Sequence, residues 1–224
     1  MKKLFLILNL SLLGLACSKS GKDDDPSFQF AKGFGRSEER PEGVPFVWPV
    51  GLRLVGEPGT GDECFDAIYK QKRLFGHGGG VAVCLNFYNE TDKPITLKLP
   101  PGLMFVSKTV EAQNGLLLTV VTIEVPPKEQ YLAQLNMMCV NPPRSSSSGY
   151  EYEAQPIVTD HPALRPLIDL LANKRCNYEY YGGDYDSQLA LEIGATISVA
   201  AQDLIYGKPI HKQEQQAIAA IPEK

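Results

Sequence analysis

"VAVCLNFYNETDKPITLKLPPGLMF", residues Val81 to Phe105, decides how this chain folds. Val81, Val83, Leu85 and Phe87 share one parity, and Ile95, Leu97 and Leu99 resume it after the turn-rich interval Asn89 to Pro94. Alternation of this kind marks strands with one buried face, so the spacing predicts a strand pair joined by that interval. "GLLLTVVTIEVPPKEQYLAQLNMMCVNPP", Gly115 to Pro143, repeats the pattern. A hydrophobic strand from Leu116 to Val125 meets a turn at Pro126 to Lys128, and Tyr131, Ala133, Leu135 and Met137 alternate beyond it, which predicts a second hairpin.

Strands packed this densely must share a buried face, and two stacked sheets provide one. The expected class is α+β: an immunoglobulin-like antiparallel β-sandwich over residues 45–158 with a short preceding helix, and a helical appendage over 159–224. The helix is expected over Asp62 to Arg73, "DECFDAIYKQKR", which starts acidic, ends basic and has Phe65, Ile68 and Tyr69 on one face. A short strand is expected at Val50 to Val55, where the flanking prolines suit a sheet edge. Beyond the serine-rich loop after Asn141, Thr159 or Asp160 should cap a helix carrying Pro162 in its first turn and ending near Asn173. Asp184 should open a longer helix that Gly207 stops, with Leu189, Ile193, Ile197, Ala200 and Leu204 on its apolar face. A last helix should run from Pro209 to about Ile221. Helices this short need the sheets for support.

The first residues read differently. Lys2 and Lys3 precede an apolar run, Leu4 to Leu13, and small residues precede Cys17. The run falls short of the roughly 20 residues that span a bilayer, so residues 1–16 are a secretory signal. Gly14-Leu15-Ala16-Cys17 resembles the lipobox of bacterial lipoproteins, which implies acylation of Cys17 after cleavage. The following "SKSGKDDD", Ser18 to Asp25, resembles the acidic signal that sends lipoproteins of some Gram-negative anaerobes to the cell exterior. Residues 17–44, rich in Gly, Pro, Arg and Glu with isolated Phe28, Phe30 and Phe34, are expected to form a lipidated flexible tether. The expected location is thus the outer membrane, lipid-anchored and facing outward.

Chemistry is sparse. The 224 residues carry 26 acidic and 22 basic side chains, a net charge of -4, without the clustered Lys and Arg that nucleic acid requires. Expected partners are the membrane, through the lipid, and a surface protein or glycan. The three histidines, His77, His161 and His211, have no metal spacing, so His77-Gly78-Gly79-Gly80 reads as a flexible loop entering the first core strand. No cofactor, metal or catalytic residue is expected. Cys64, Cys84, Cys139 and Cys176 permit three pairings in an exported chain. Cys84 with Cys139 would join core strands and leave Cys64 with Cys176, while the alternative is buried thiols packed as small hydrophobes. Trp48 and the tyrosines of "NYEYYGGDY" (Tyr178, Tyr180, Tyr181, with Tyr185 close by) are candidate glycan contacts, since aromatic faces beside Asn and Asp suit sugars. A lone Trp beside a strand also serves as a core plug. Asp184, Asp186, Gln188 and Glu192 echo a calcium loop but lack its turn glycine, and helix capping accounts for them.

The order of these features is similar to a class of exported sandwich domains. The shared features are a short helix, the Asn89 to Pro94 turn before "ITLKLPPGLMF", Gln113-Asn114 opening a hydrophobic strand, "CVNPP" at Cys139 to Pro143, and helices containing Gln188-Leu189-Ala190. The resemblance covers Asp62 to Pro222. It implies that Asn86 or Asn89 ties loop backbone, and it brings no catalytic residues. The function expected is a non-enzymatic surface lipoprotein that serves as an interaction or structural component of the envelope; the alternatives are a glycan-capturing lipoprotein and a fimbrial or adhesin-like subunit.

Overall fold

The computed structural model describes residues 28–224; the signal segment, Cys17 and the acidic run after it lie outside the described residues. The chain is mixed α+β, with mostly antiparallel strands in a curled sheet plus helices. Its strands are β1 (Val44–Pro45), β2 (Leu52–Leu54), β3 (Leu74–Gly76), β4 (Val81–Asn89), β5 (Ile95–Leu99), β6 (Leu103–Phe105), β7 (Gly115–Leu116), β8 (Val121–Val125), β9 (Gln130–Cys139) and β10 (Ile157–Val158). The helices are α1 (Phe65–Tyr69), α2 (Arg165–Leu171), α3 (Gln188–Ile205) and α4 (Lys212–Ala220), with single 3-10 turns at Asp62–Cys64, Pro162–Leu164 and Tyr178–Tyr181. The large sheet runs β1-β10-β6-β7-β9-β4-β2, with β3 alongside β9 in parallel, and β5 and β8 form a separate ribbon.

The alternating segments are strands, but neither expected hairpin forms. β4 pairs with β9, from Val81↔Met137 to Tyr88↔Gln130, and β5 pairs with β8, Ile95↔Val125 through Leu99↔Val121. Both connections are therefore arches that carry the chain from the sheet to the ribbon or back. The exchange lets apolar faces meet: Val81, Val83, Leu85 and Phe87 of β4 and Tyr131, Ala133, Leu135 and Met137 of β9 share one core with Leu97, Leu99, Val121, Ile123 and Val125 of the ribbon. A simple β4–β5 hairpin would turn the same residues toward one open side. Pro94 and Pro126, at the inner ends of β5 and β8, also lack the N–H that a hairpin ladder would use there.

Asn89 ties the two arches together. Fully buried, it donates through Nδ2 to the carbonyls of Lys93 (2.8 Å) and Val125 (3.0 Å) and accepts at Oδ1 from the Thr91 backbone (2.9 Å) and hydroxyl (2.8 Å). Its own backbone bonds Glu129 and Lys128 of the other arch. Of the two asparagines implied by the resemblance, Asn89 fills the role, whereas the Asn86 side-chain oxygen is buried without a partner.

The opposite face of the large sheet is covered in pieces. α3 and α4 pack with α2 on a second core containing Met104, Leu116, Met138 and Val140. α3 approaches closely because Gly194 sits on Gly78; a Cβ there would lie 2.7 Å from the Gly78 nitrogen. The stretch expected as tether joins this core through Phe30 and Phe34. Phe34 is 2% exposed, and the carbonyl of Gly33 accepts from Asn114 (3.1 Å) and Asn141 (3.0 Å). Composition conceals this docking because the tertiary partners that hold the segment lie far along the chain.

Several boundaries also move. The helix expected over 62–73 stops at Tyr69, because the chain turns back through Lys72 in the left-handed region (φ 53°) to place the buried Leu74 in β3. Neither Thr159 nor Asp160 caps a helix; Asp160 forms an ion pair with Arg165. The long helix begins at Gln188, capped by Ser187 accepting from Ala190 N, and the last runs only from Lys212 to Ala220. Leu189 is exposed rather than buried, while Ala190, Ile193, Ile197 and Ala201 face inward.

The disulfide joins Cys64 to Cys84, not Cys84 to Cys139. Cys84 lies opposite Gln134 in the ladder, five residues short of Cys139, so the two cysteines are about 17 Å apart along the strand, too far to be bridged. Cys139 belongs to the core under the ribbon, Cys176 to the core under the helices, and both are buried outside the bridge. The expected Cys64–Cys176 pair is lost with it.

Two stability outcomes follow from this architecture. Asn89→Ala strips four hydrogen bonds from the arches and should lower the urea-unfolding free energy by about 3 kcal/mol, the cost of unsatisfied buried backbone groups; an effect below about 0.5 kcal/mol would contradict the role given to Asn89. Reducing the disulfide, whose closed loop spans 20 residues, should cost about 3 kcal/mol in the same measurement.

Candidate functional site

The even-numbered face of β4 and β9 is the one left to polar residues. Beneath α1 it carries Cys84 and Leu132, which pack with Cys64 and Ile68, and toward α3 it carries Met138. Between these lie Ala82, Gln134 and Asn136, with Ala82 directly across from Asn136 in the ladder. They floor a cleft of about 480 Å³ walled by α1, the Gly78–Gly80 loop and α3. Gln134 Nε2 donates to Asn136 Oδ1 at 2.9 Å, and Tyr178 also hydrogen-bonds Asn136. Burial pushes the Tyr178 phenol up to about 12, so it stays protonated.

Tyr69 and Tyr185 form the mouth. Their ring centroids are 5.4 Å apart, and Phe65 extends the row at 4.5 Å from Tyr69. Tyr69, Tyr185 and Phe65 are exposed, at 48%, 43% and 58%. With α1 only five residues long, Ile68 and Ala67 alone reach the sheet. Lys72 draws the two shores together by pairing with Asp184 at 2.7 Å, which replaces the capping expected of Asp184. That contact holds the Lys72 amine above its ordinary range and the Asp184 carboxyl below.

The candidate glycan contacts separate in space. Tyr178 lines the cleft and Tyr185 its mouth, but Tyr180 and Tyr181 do not line it. Tyr180 faces Lys224 Nζ at 5.7 Å, and the Tyr181 hydroxyl donates to the Arg175 carbonyl at 2.8 Å. Trp48 is at the rim of the ribbon core, edge-on to Phe46 (5.1 Å) and Phe87 (5.7 Å), with Nε1 donating to the Ala154 carbonyl. This is the plug arrangement. Sequence reading missed Gln134 and Asn136; the signal was two successive amides between Leu132 and Met138 on the even parity of β9.

Behind the cleft is a buried polar network. His77, expected in a flexible loop, is fully enclosed, and its Nδ1 lies 3.1 Å from Asn177 Oδ1, which also accepts from the Thr119 hydroxyl at 2.6 Å. Asn177 Nδ2 donates to the Val120 carbonyl and to Glu179, whose second oxygen accepts from Gly76 N. This assigns the His77 proton to Nδ1 and leaves Nε2 without a partner. Burial lowers His77 to about 4 and raises Glu179 to about 7. None of the four residues lines the cleft. Among the described residues, no group of three His, Cys, Asp or Glu is placed to hold a metal, and no helix is long and apolar enough to cross a membrane.

No protein-family model, curated protein or solved structure matches this chain.

The two shifted groups act in opposite directions on stability. Folded Glu179 keeps its proton between its ordinary 4.5 and about 7, so its contribution is full at low pH and is lost as pH rises through that window. His77 stays neutral between its ordinary 6.5 and about 4, so its contribution is full at neutral pH and is lost on acidification. Thermal-unfolding midpoints should separate them: relative to the parent, Glu179→Gln should improve steadily from pH 4.5 to pH 7. A difference that does not vary with pH would rule out the shifted carboxyl.

Proposed function

We propose that this chain is a non-enzymatic lipoprotein of a bacterial outer envelope, anchored through acylated Cys17, displayed on the exterior, and acting as an interaction component through the cleft between α1 and α3. The cleft carries this reading. It is concave, within the size range of small-ligand sites, and opens beside a row of exposed aromatic rings of the kind that marks binding surfaces. His77, Thr119 and Asn177, the nearest constellation that resembles catalytic machinery, are sealed at 1% exposure or less and serve as structural ties.

Export is supported by the basic start, apolar run and Gly14-Leu15-Ala16-Cys17 junction, and by the Cys64–Cys84 bridge, since disulfides persist in oxidising compartments. In fold terms, the ribbon β5–β8 facing β4 and β9 across a common apolar core is a reduced immunoglobulin-like sandwich. A fimbrial role is less favoured, because the large sheet ends on strands of two and three residues beside Pro45 and Pro49, which offer little ladder to a donor strand. A net charge of -4 again disfavours nucleic acid.

The anchor is tested by growing a Gram-negative host with an alkyne-tagged fatty acid. The parent should be labelled, fractionate with the outer membrane and be cleaved by protease added to intact cells, whereas Cys17→Ser should be unlabelled. An unlabelled parent, or label retained in the variant, would overturn the lipoprotein reading.

A further inference from the structure

We infer that the cleft binds a neutral saccharide, with one sugar ring packed against Tyr69 and Tyr185 and its hydroxyls met by Gln134, which the buried Asn136 holds in place. This rests on the reading of the cleft as the interaction site and adds the class of ligand. Three features select that class.

First, none of the residues lining the cleft carries a charge. Close to the mouth, Asp66 pairs with Lys70 at 3.0 Å and Lys72 with Asp184 at 2.7 Å. An ionic ligand entering here would lose hydration with no opposite charge to replace it. Second, the mouth is aromatic and the floor is amide. The C–H face of a pyranose is apolar and its edge is ringed with hydroxyls, so it requires a flat apolar surface and nearby groups that both donate and accept. Tyr69 and Tyr185, whose planes meet at 54°, supply one ring face to stack on and a second apolar face at its side. The Gln134 side chain, half-buried at the floor, spends one N–H on Asn136 and retains an oxygen and a second N–H for a ligand. A wholly apolar ligand such as an acyl chain would bury the remaining Gln134 oxygen and N–H without partners. Third, the side walls are small. Gly79 projects into open space, and Ala82, Ala195 and Ser198 keep the interior wide enough for a ring.

The site is also built to hold its geometry. The Cys64–Cys84 bridge fixes the N-terminal end of α1 to β4, so Tyr69 is set one helical turn from a covalent anchor. The contact between Gly78 and Gly194 fixes α3 on the opposite side.

The test uses the detergent-solubilised protein and a panel of cellobiose, maltose, laminaribiose and N,N′-diacetylchitobiose, with di-galacturonate as the acidic comparator, read by saturation-transfer NMR and tyrosine fluorescence. At least one neutral disaccharide should saturate the protein in the millimolar range or below, independently of salt, and the acidic one should not. Tyr69→Ala and Tyr185→Ala, at exposed positions, should each weaken binding about tenfold, as should Gln134→Leu. Tyr180→Ala, outside the cleft, should leave it unchanged. No saturation by any neutral sugar, or binding indifferent to both tyrosine substitutions, would overturn the inference. Because acylation at Cys17 is measured separately, failure here leaves the surface-lipoprotein reading standing, and loss of that reading leaves the binding result standing.

Discussion

The pairing of β4 with β9 is the constraint on which the rest of this structure depends. Eight consecutive ladder positions fix the parity of both strands at once, so every odd residue from Val81 and Tyr131 onward points into the ribbon core and every even residue points the other way. Once that register is set, β5 and β8 can cover the odd face only by leaving their sequence neighbours and pairing with each other. Asn89, at the junction of the two resulting arches, supplies the hydrogen bonds that their non-repetitive backbone would otherwise lack.

The even face then carries the cleft, by incomplete coverage. α1 is short and α3 stands apart from it, so Gln134 and Ala82 stay partly open, with the buried Asn136 beside them. A fully apolar strip there would have to be buried or would aggregate; a pair of amides tolerates a wet cleft. The same geometry explains the position of the disulfide. Cys84 shares the even face with Leu132, under the helix that Cys64 begins, and the bond locks the shorter of the two walls where few apolar contacts could do so. The buried His77–Asn177–Glu179 network supports the cleft from behind by joining β3, the loop before β8 and the turn that carries Tyr178. Its two shifted groups have opposite pH slopes, and between about pH 4.5 and 6.5 these offset one another.

Much of this was legible along the chain and some of it could not be. Alternation at Val81 to Phe87, Ile95 to Leu99 and Tyr131 to Met137 identified strands because parity is a local property. It did not identify their partners: the five residues between β4 and β5 fit a hairpin and an arch equally well, and the choice depends on which faces must meet. Tyr178 and Tyr185 were singled out by composition and do belong to the cleft, yet Tyr180 and Tyr181, two and three residues from Tyr178, leave it because the 3-10 turn sends successive side chains in different directions. Phe34 was hidden for the opposite reason, since a single aromatic among Gly, Arg and Glu has no period, and its anchors Asn114 and Asn141 are remote in sequence.

The sequence by itself determined the alternating strands, the amphipathic C-terminal helices, the net charge of -4 and the apolar run before Cys17, because each is written in neighbouring residues or in bulk composition. Tertiary structure alone decided the exchange of strand partners, the choice of Cys64 for Cys84, the docking of residues 28–44 and the assembly of Tyr69, Tyr185, Gln134 and Asn136 around one cleft. The physical reason is shared by all four: they depend on which faces are brought together across long loops, and the free energy that selects among those arrangements, burial of apolar area with every enclosed polar group satisfied, is a property of the whole core and of no single segment.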